Sequence, residues 1–386
     1  MNRSLPALLV LVLATWVRAE DIAEQARRLA REAIVFDGHC DTVLALEKGR
    51  KLEERSSEGH LDLVRAREGG LKIQLFALWP DDDYYPDRAA LRTLQLLDLL
   101  QQAAAKNPGL ALVETVSAAR LAARGGRLAA FIGIEGGHAI QNDLALLRIY
   151  HALGVRLMTL TWMKHTDWAD SSGEPPRHHG LTDFGRQVVA EMNRLGMVID
   201  LSHVSDDTFY QVLELSRQPV LVSHSACRAL CNHPRNVTDD MLRALAKNNS
   251  VIGINFFAGF LDEQAARLSE KFWSDMDRLW QEHKNEPDVF KKLVEPLRAQ
   301  YRRDFPRVPI ERLVDHIEHA AKVAGVEHVA LGSDFDGICC PPEGLEDVSK
   351  LPALIEALLR RGFTEQQVRL ILGENLLRLF GAVLGG

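Results

Sequence analysis

The stretch F-D-G-H-C-D-T, residues 36–42, places His39 and Asp41 two apart at the end of a short apolar run. In extended chain, residues i and i+2 point to the same side, so both side chains can reach one ion while Cys40 points away. Other apolar runs end in the same kind of chemistry. F-I-G-I-E-G-G-H supplies Glu135 and His138, V-I-D-L-S-H supplies His203, V-L-V-S-H-S supplies His224, and L-G-S-D-F-D-G supplies Asp334 and Asp336. Taken singly, each is explained by a helix cap or a hydrogen-bonded loop. If they share one volume, His39, His203, His224, Asp41, Glu135 and Asp334 crowd carboxylates together. Burying them costs several kcal/mol or forces protonation unless a cation balances them. Imidazole and carboxylate suit Zn²⁺, and a bridging carboxylate lets two such ions sit ~3.5–4 Å apart.

Whether these residues meet depends on the elements that carry them. Eight apolar runs, at 33–37, 71–79, 129–135, 155–162, 197–203, 219–224, 250–256 and 328–334, read as strands. Most are rich in Val, Ile, Leu and Phe without polar alternation, as strands buried on both faces are. Patterned segments such as 89–102, 183–195, 206–216 and 239–247 lie between them, several opening with a capping residue. Strand–helix units repeated eight times in 20–386 predict a (β/α)₈ TIM-type barrel, an α/β fold, as a single catalytic domain. A doubly wound open sheet is the alternative, weakened because no G-x-G-x-x-G turn follows the first run. In a barrel of this kind the site forms at the C-terminal strand ends, where the polar residues above lie. Residues 262–307 break the pattern and read as a helical insertion between strands seven and eight.

The N-terminus reads as a cleavable signal peptide over 1–19: Arg3, an apolar core over 5–16, and Val17-Arg18-Ala19 before Glu20. The core is too short for a stable membrane anchor, so export to a periplasmic or secreted location is expected. The net charge of −7, with no long basic block, excludes nucleic acid as a partner. Five cysteines leave at least one unpaired within the chain.

The motifs "DGHCDT", "GIEGGHAI", "GLTDFGRQVVAEMNRLGMVIDLSHVS", "PVLVSHSACRALCNHPRNVTDDML" and "GSDFDG" resemble the membrane (renal) dipeptidase family of binuclear zinc hydrolases. The likeness runs from about Asp37 to Phe380. It implies two Zn²⁺ per chain, His39 and Asp41 on one ion, His203 and His224 on the other, and Glu135 bridging both. It further implies that Asp334 handles protons, with Asp336 behind it, and that Arg235 in H-P-R-N-V binds the substrate's carboxylate. Dipeptide substrates, tolerance of a D-residue at the C-terminal position, action on some β-lactams and a homodimer follow from the same resemblance. One departure concerns L-T-H near the fourth strand, where this chain has Trp162; His165, three residues on, is the alternative donor. Cys231 stands where relatives use a disulfide, without an evident partner downstream. Another binuclear amidohydrolase, acting on N-acyl amino acids or lactones, is disfavoured because strand one carries H-x-D instead of H-x-H. A catalytically weak binding homologue has only Trp162 in its favour.

Overall fold

Short β-branched and leucine-rich segments form nine strands: β1 (Val35–Cys40), β2 (Leu71–Leu78), β3 (Leu110–Leu112), β4 (Leu128–Glu135), β5 (Val155–Thr159), β6 (Val198–Asp200), β7 (Leu221–Ser225), β8 (Val251–Ile254) and β9 (Val329–Leu331). This computed structural model describes residues 21–81, 84 and 86–385; the expected signal segment lies outside them. The strands pair in parallel in the order β2-β1-β9-β8-β7-β6-β5-β4, and β2 also pairs with β4, which closes the ring. The result is the (β/α)₈ barrel that the alternation of runs predicts. β3 stands apart from the eight. It pairs only with the first residues of β4, Leu110 against Leu128 through Leu112 against Ala130, before β5 takes over that edge from Ile132 onward.

The helices between strands start where the side chains cap them. Thr182, Ser205 and Thr238 accept hydrogen bonds from the backbone N–H groups of Gly185, Thr208 and Met241. Each bond satisfies a donor that the first helical turn would otherwise leave open.

Two apolar layers position the strand ends. Outside, the strands pack on the helices. Inside, all eight barrel strands contribute to a second cluster that includes Phe36, Leu75, Phe131, Leu157, Leu221 and Val251. Phe380 from the helix Asn375–Leu384 closes the barrel from below, with ring centroids 4.8 Å from Phe131 and 5.1 Å from Phe36. The floor is apolar and filled, so polar groups are confined to the opposite end.

β1 contains the adjustment that delivers His39 to that end. Asp37 pairs with Gln74 and Cys40 with Phe76, so three steps along β1 match two along β2. This bulge inverts the facing of the residues after it. Phe36 belongs to the barrel interior, whereas Cys40 packs in the outer layer. A close approach of β7 to β9 depends on Gly332, where a Cβ would lie 1.8 Å from the Ser223 carbonyl oxygen.

Between β8 and β9 run the helices Ala258–Leu261, Glu263–His283, Pro287–Asp304 and Ile310–Ala324. The middle pair is pinned to the barrel by Phe257, Phe272, Tyr301 and Phe305: centroids are 4.3 Å apart for Phe272–Tyr301 and 6.0 Å for Phe257–Phe305. Trp273 and Trp280 lie on the outer side of the first of these helices and are exposed. Among the described residues, no helix is long and apolar enough to cross a membrane.

Candidate metal centre

The ends of β1, β4, β6, β7 and β9 bring the expected polar residues together. Glu135, the last residue of β4, sits at the middle. Its Oε2 is 3.6 Å from His39 Nε2, and its Oε1 is 3.0 Å from His203 Nε2 and 3.3 Å from His224 Nε2. Asp41 Oδ2 lies 3.5 Å from His39 Nε2 on the other side. Two overlapping sets, His39–Glu135–His224 and His39–Asp41–Asp334, each offer ligand atoms within 4.8 Å of one another. His39, Asp41, Glu135, His203 and His224 are buried, and Asp334 is half-buried beside them.

The backbone turns sharply to present two of these groups. His203 and Asp334 adopt left-handed conformations, with φ of 69° and 60°. Non-glycine residues rarely accept such geometry, and where they do it is often at functional sites. The turns also explain why β6 and β9 stop short of the runs 197–203 and 328–334. Past Asp334, the chain folds back at Gly337. A Cβ there would meet Asp41 Oδ2 at 2.1 Å and Asp334 Oδ1 at 2.4 Å, so only glycine lets the loop pass this close.

Beneath the cluster, two carboxylates not singled out from the sequence hold the strands in register. Asp200 accepts hydrogen bonds from Thr159 Oγ1 at 2.6 Å, Ser202 N at 3.0 Å, Ser223 N at 2.9 Å and Ser223 Oγ at 2.6 Å. Because the Ser223 hydroxyl donates to Asp200, its oxygen is left to accept from His224 Nδ1, 2.7 Å away. That places the imidazole proton on Nδ1 and leaves the Nε2 lone pair facing Glu135 and His203, as a ligating histidine requires. Asp37 does similar work for β1 and β9, accepting from Ser333 N at 2.7 Å, Ser333 Oγ at 2.6 Å and Gln74 Nε2 at 2.8 Å. Asp336 faces elsewhere. It accepts from Thr42 Oγ1, from Arg50 and from His60 N, and so anchors the charged segment after β1.

Charge is unevenly divided within the cluster. Burial disfavours ionisation of Glu135, but His39, His203 and His224 outweigh it and hold the carboxyl well below the ordinary range. Asp334 goes the other way: burial, then the Asp41 and Glu135 charges, push it well above that range against the pull of His39. Burial, with Arg235 behind it, lowers His203 to about 4, so this imidazole is a neutral donor at physiological pH. Both ring nitrogens of His39, Asp41 Oδ1 and His203 Nδ1 are buried without a hydrogen-bond partner among the described residues. Uncompensated buried polar atoms of this kind are rare in folded proteins. A nitrogen-and-oxygen donor set with spare lone pairs fits a divalent cation such as Zn²⁺.

The remaining expected residues divide. Arg235 is buried beside the cluster. Its Nη2 donates to the His224 carbonyl at 3.3 Å, its guanidinium carbon lies 5.3 Å from the Phe260 ring centroid, and its Nε has no partner among the described residues. Burial lowers it to about 10, so it stays cationic. Trp162 stands at the edge, its ring centroid 6.1 Å from His203 and 4.6 Å from Trp79. Trp79, one residue past the end of β2, is a neighbour the sequence did not flag; its Nε1 is buried with no hydrogen-bond partner among the described residues. His165 is not brought to the cluster. Its Nδ1 accepts from Ser171 N at 2.9 Å and its Nε2 is 2.8 Å from the Pro175 carbonyl, so both ring nitrogens serve the loop 163–181. That loop is organised around Asp170, which accepts from the N–H groups of Arg177, His178 and Gly180. Asn255 also escaped the sequence reading: its Nδ2 donates to Asp334 Oδ2 at 2.9 Å. A polar residue inside the apolar run 250–256, one position past the end of β8, was the available signal.

Comparison with known proteins identifies the family and the fold. The model of the membrane dipeptidase family, peptidase family M19, matches residues 23–384. Dipeptidase 3 of Rattus norvegicus is 36% identical over 379 residues, spanning 94% of this chain and 67% of that protein. The solved structure of dipeptidase AC, a metallopeptidase of family M19, superposes with a TM-score of 0.77 at 28% identity, covering 92% of this chain and 99% of that one. A metallopeptidase from Rhodobacter sphaeroides, solved with a phosphinate mimic of the dipeptide L-Ala-D-Ala, gives 0.76 at 27% identity, covering 91% and 100%.

The Ser223 relay can be tested without turnover. Ser223→Ala removes the acceptor for His224 Nδ1 while sparing every candidate ligand. Metal affinity is expected to fall about 10–100-fold, read by competition with a chelator, with far-UV circular dichroism unchanged.

Proposed function

This chain belongs to the membrane dipeptidase family of metallopeptidases, and on that premise we propose that it hydrolyses dipeptides with two Zn²⁺ ions held at the barrel mouth. As a family member it is a hydrolase, a metallo-dipeptidase. The observation that carries the two-ion reading is the division of the Glu135 carboxylate. One oxygen faces His39 and the other faces His203 and His224. In this reading His39 and Asp41 would hold one ion, His203 and His224 the other, and Glu135 would contribute an oxygen to each. When bound, the ions supply Lewis acidity for the peptide carbonyl and acidify water.

The protein's own groups do the rest. With cations bound, their charge would return Asp334 to its ionised form, so that it takes a proton from the attacking water and returns it to the leaving amine, acting as base and then acid. Asn255 occupies Asp334 Oδ2, which leaves Oδ1 beside Asp41 for that transfer. Arg235 pairs with the substrate's terminal carboxylate through its open Nε edge, a charge-assisted contact strengthened by burial. Recognition of a carboxylate this close to the reacting carbonyl favours dipeptides over longer chains. Trp162 and Trp79 line the side of His203 as an apolar wall with N–H donors but no charge. The Rhodobacter relative's L-Ala-D-Ala mimic supports acceptance of a D-residue at the C-terminal position. Action on some β-lactams, whose amide is cyclic, and a homodimeric assembly rest on the family resemblance. Export rests on residues 1–19.

The test is metal content followed by a substrate panel: L-L and L-D dipeptides, a tripeptide and an N-acyl amino acid. Two zincs per chain with dipeptides cleaved and the others spared are expected; near-zero zinc or no dipeptide cleavage defeats the reading. Asp334→Asn should retain metal and lose roughly 10²–10⁴-fold in kcat; an unchanged kcat would remove it as base. Arg235→Ala should raise KM for dipeptides far more than it lowers kcat, measured by steady-state kinetics.

A further inference from the structure

Outside the metal cluster, the loop after β9 carries two adjacent cysteines that the proposed reaction does not use. Cys339 is exposed and Cys340 half-buried, whereas Cys40, Cys227 and Cys231 are all buried. The two sulfurs lie 2.6 Å apart. We propose that Cys339 and Cys340 form a thiol–disulfide modification site. A disulfide-class oxidant closes them into a vicinal disulfide, and closure displaces the loop that holds Asp334.

The placement of the pair gives it selectivity. Only these two thiols combine mutual contact with a solvent-facing member, so a soluble oxidant meets them first. The Cys340 thiol and the Tyr301 hydroxyl hydrogen-bond to Cys339 and hold it below the ordinary thiol range against burial; Cys340 is pushed up. Cys339 is therefore the attacking thiolate. It attacks one sulfur of R–S–S–R, whose bond breaks and releases the first thiolate. Cys340 then gives up its proton, and its sulfur attacks Cys339 and expels the second. Two S–H bonds become one S–S bond, and two electrons pass to the oxidant, which leaves as two thiols. Neighbouring Cα atoms are ~3.8 Å apart, shorter than the ~4.4–6.8 Å that disulfides usually span. The ring is strained on that account, and strained, exposed disulfides are the readily reduced ones. Modification here is reversible.

Two routes connect the pair to the site. Along the chain, the N–H groups of Gly337 and Ile338 donate to the Asp334 carbonyl at 3.1 and 3.2 Å, and Gly337 has no room to move against Asp41 and Asp334. Across the loop, the Cys340 carbonyl accepts from Ala258 N at 3.1 Å, Phe257 N donates to Asn255 Oδ1 at 2.6 Å, and Asn255 donates to Asp334 Oδ2. Reshaping the Cys339–Cys340 peptide pulls on both. The coupling rests on the role proposed for Asp334; formation of the disulfide does not.

The experiment uses the zinc-loaded protein, treated with oxidised glutathione and then with dithiothreitol. Expected are the loss of two titratable thiols, a peptide containing 339–340 lighter by two hydrogens with no glutathione attached, and a several-fold fall in kcat that dithiothreitol reverses. Cys339→Ser should keep the same kcat before and after oxidant. Thiols that persist, or a reaction that stops at a glutathione adduct on Cys339, overturn the site. A closed disulfide with kcat unchanged overturns the coupling while leaving the dipeptidase reading intact. Conversely, dipeptides left uncleaved in the reduced state would count against that reading, even with the disulfide formed.

Discussion

Three carboxylates and three imidazoles share a water-poor volume at one end of the barrel, and the rest of the architecture answers to that constraint. Such a cluster is unfavourable by itself, since each ionised group raises the cost of the next. Glu135 is stabilised as an anion at the expense of Asp334, which is pushed toward its neutral form. The protein supports this in tiers. A filled aromatic floor of Phe36, Phe131 and Phe380 keeps water out from below. Above it, Asp37 and Asp200 tie neighbouring strands with bonds that orient backbone and imidazole. Only then come the groups of the cluster, with His203 and Asp334 on left-handed backbone. Each tier has the polarity that the next requires.

The candidate ligands could be read from the chain because they interrupt apolar runs at the strand ends, where a histidine or carboxylate has no packing reason to be. Barrel architecture was equally open to reading, since eight runs separated by capped helical stretches leave few topologies. Other features were hidden for physical reasons. β3 is three residues long and is defined by its partner, not by its own pattern. The bulge in β1 depends on register against β2, which no local sequence encodes. Asp200 and Ser223 looked like part of the apolar runs that carry them; their importance comes from the cross-strand neighbours they bind. Trp79 ends a run that reads simply as core. His165 has the right residue type and spacing to reach inward, but the loop's demand for backbone partners around Asp170 claims its ring.

Trp162, where the family resemblance implies a histidine, gives one wall a different character without touching the cluster. An imidazole there could carry positive charge. The indole, stacked near Trp79, offers area and a neutral donor. On the proposed mechanism, stabilisation of charge developing on the substrate would then fall to the bound ions. Aromatic surface instead makes the site selective by shape and apolar contact.

The closure of the ring has a temporal side. Asp37 on β1 binds Ser333, 296 positions later in the chain, and the cluster from His39 to Asp334 is spread over nearly the same interval. Contacts between residues so far apart in sequence form late in folding, because loop-closure entropy must be overcome first. A partly made chain has His39 and Asp41 but not the β9 turn that faces them. The full cluster, with Asp334 facing His39 and Asp41, can therefore assemble only after the barrel has closed.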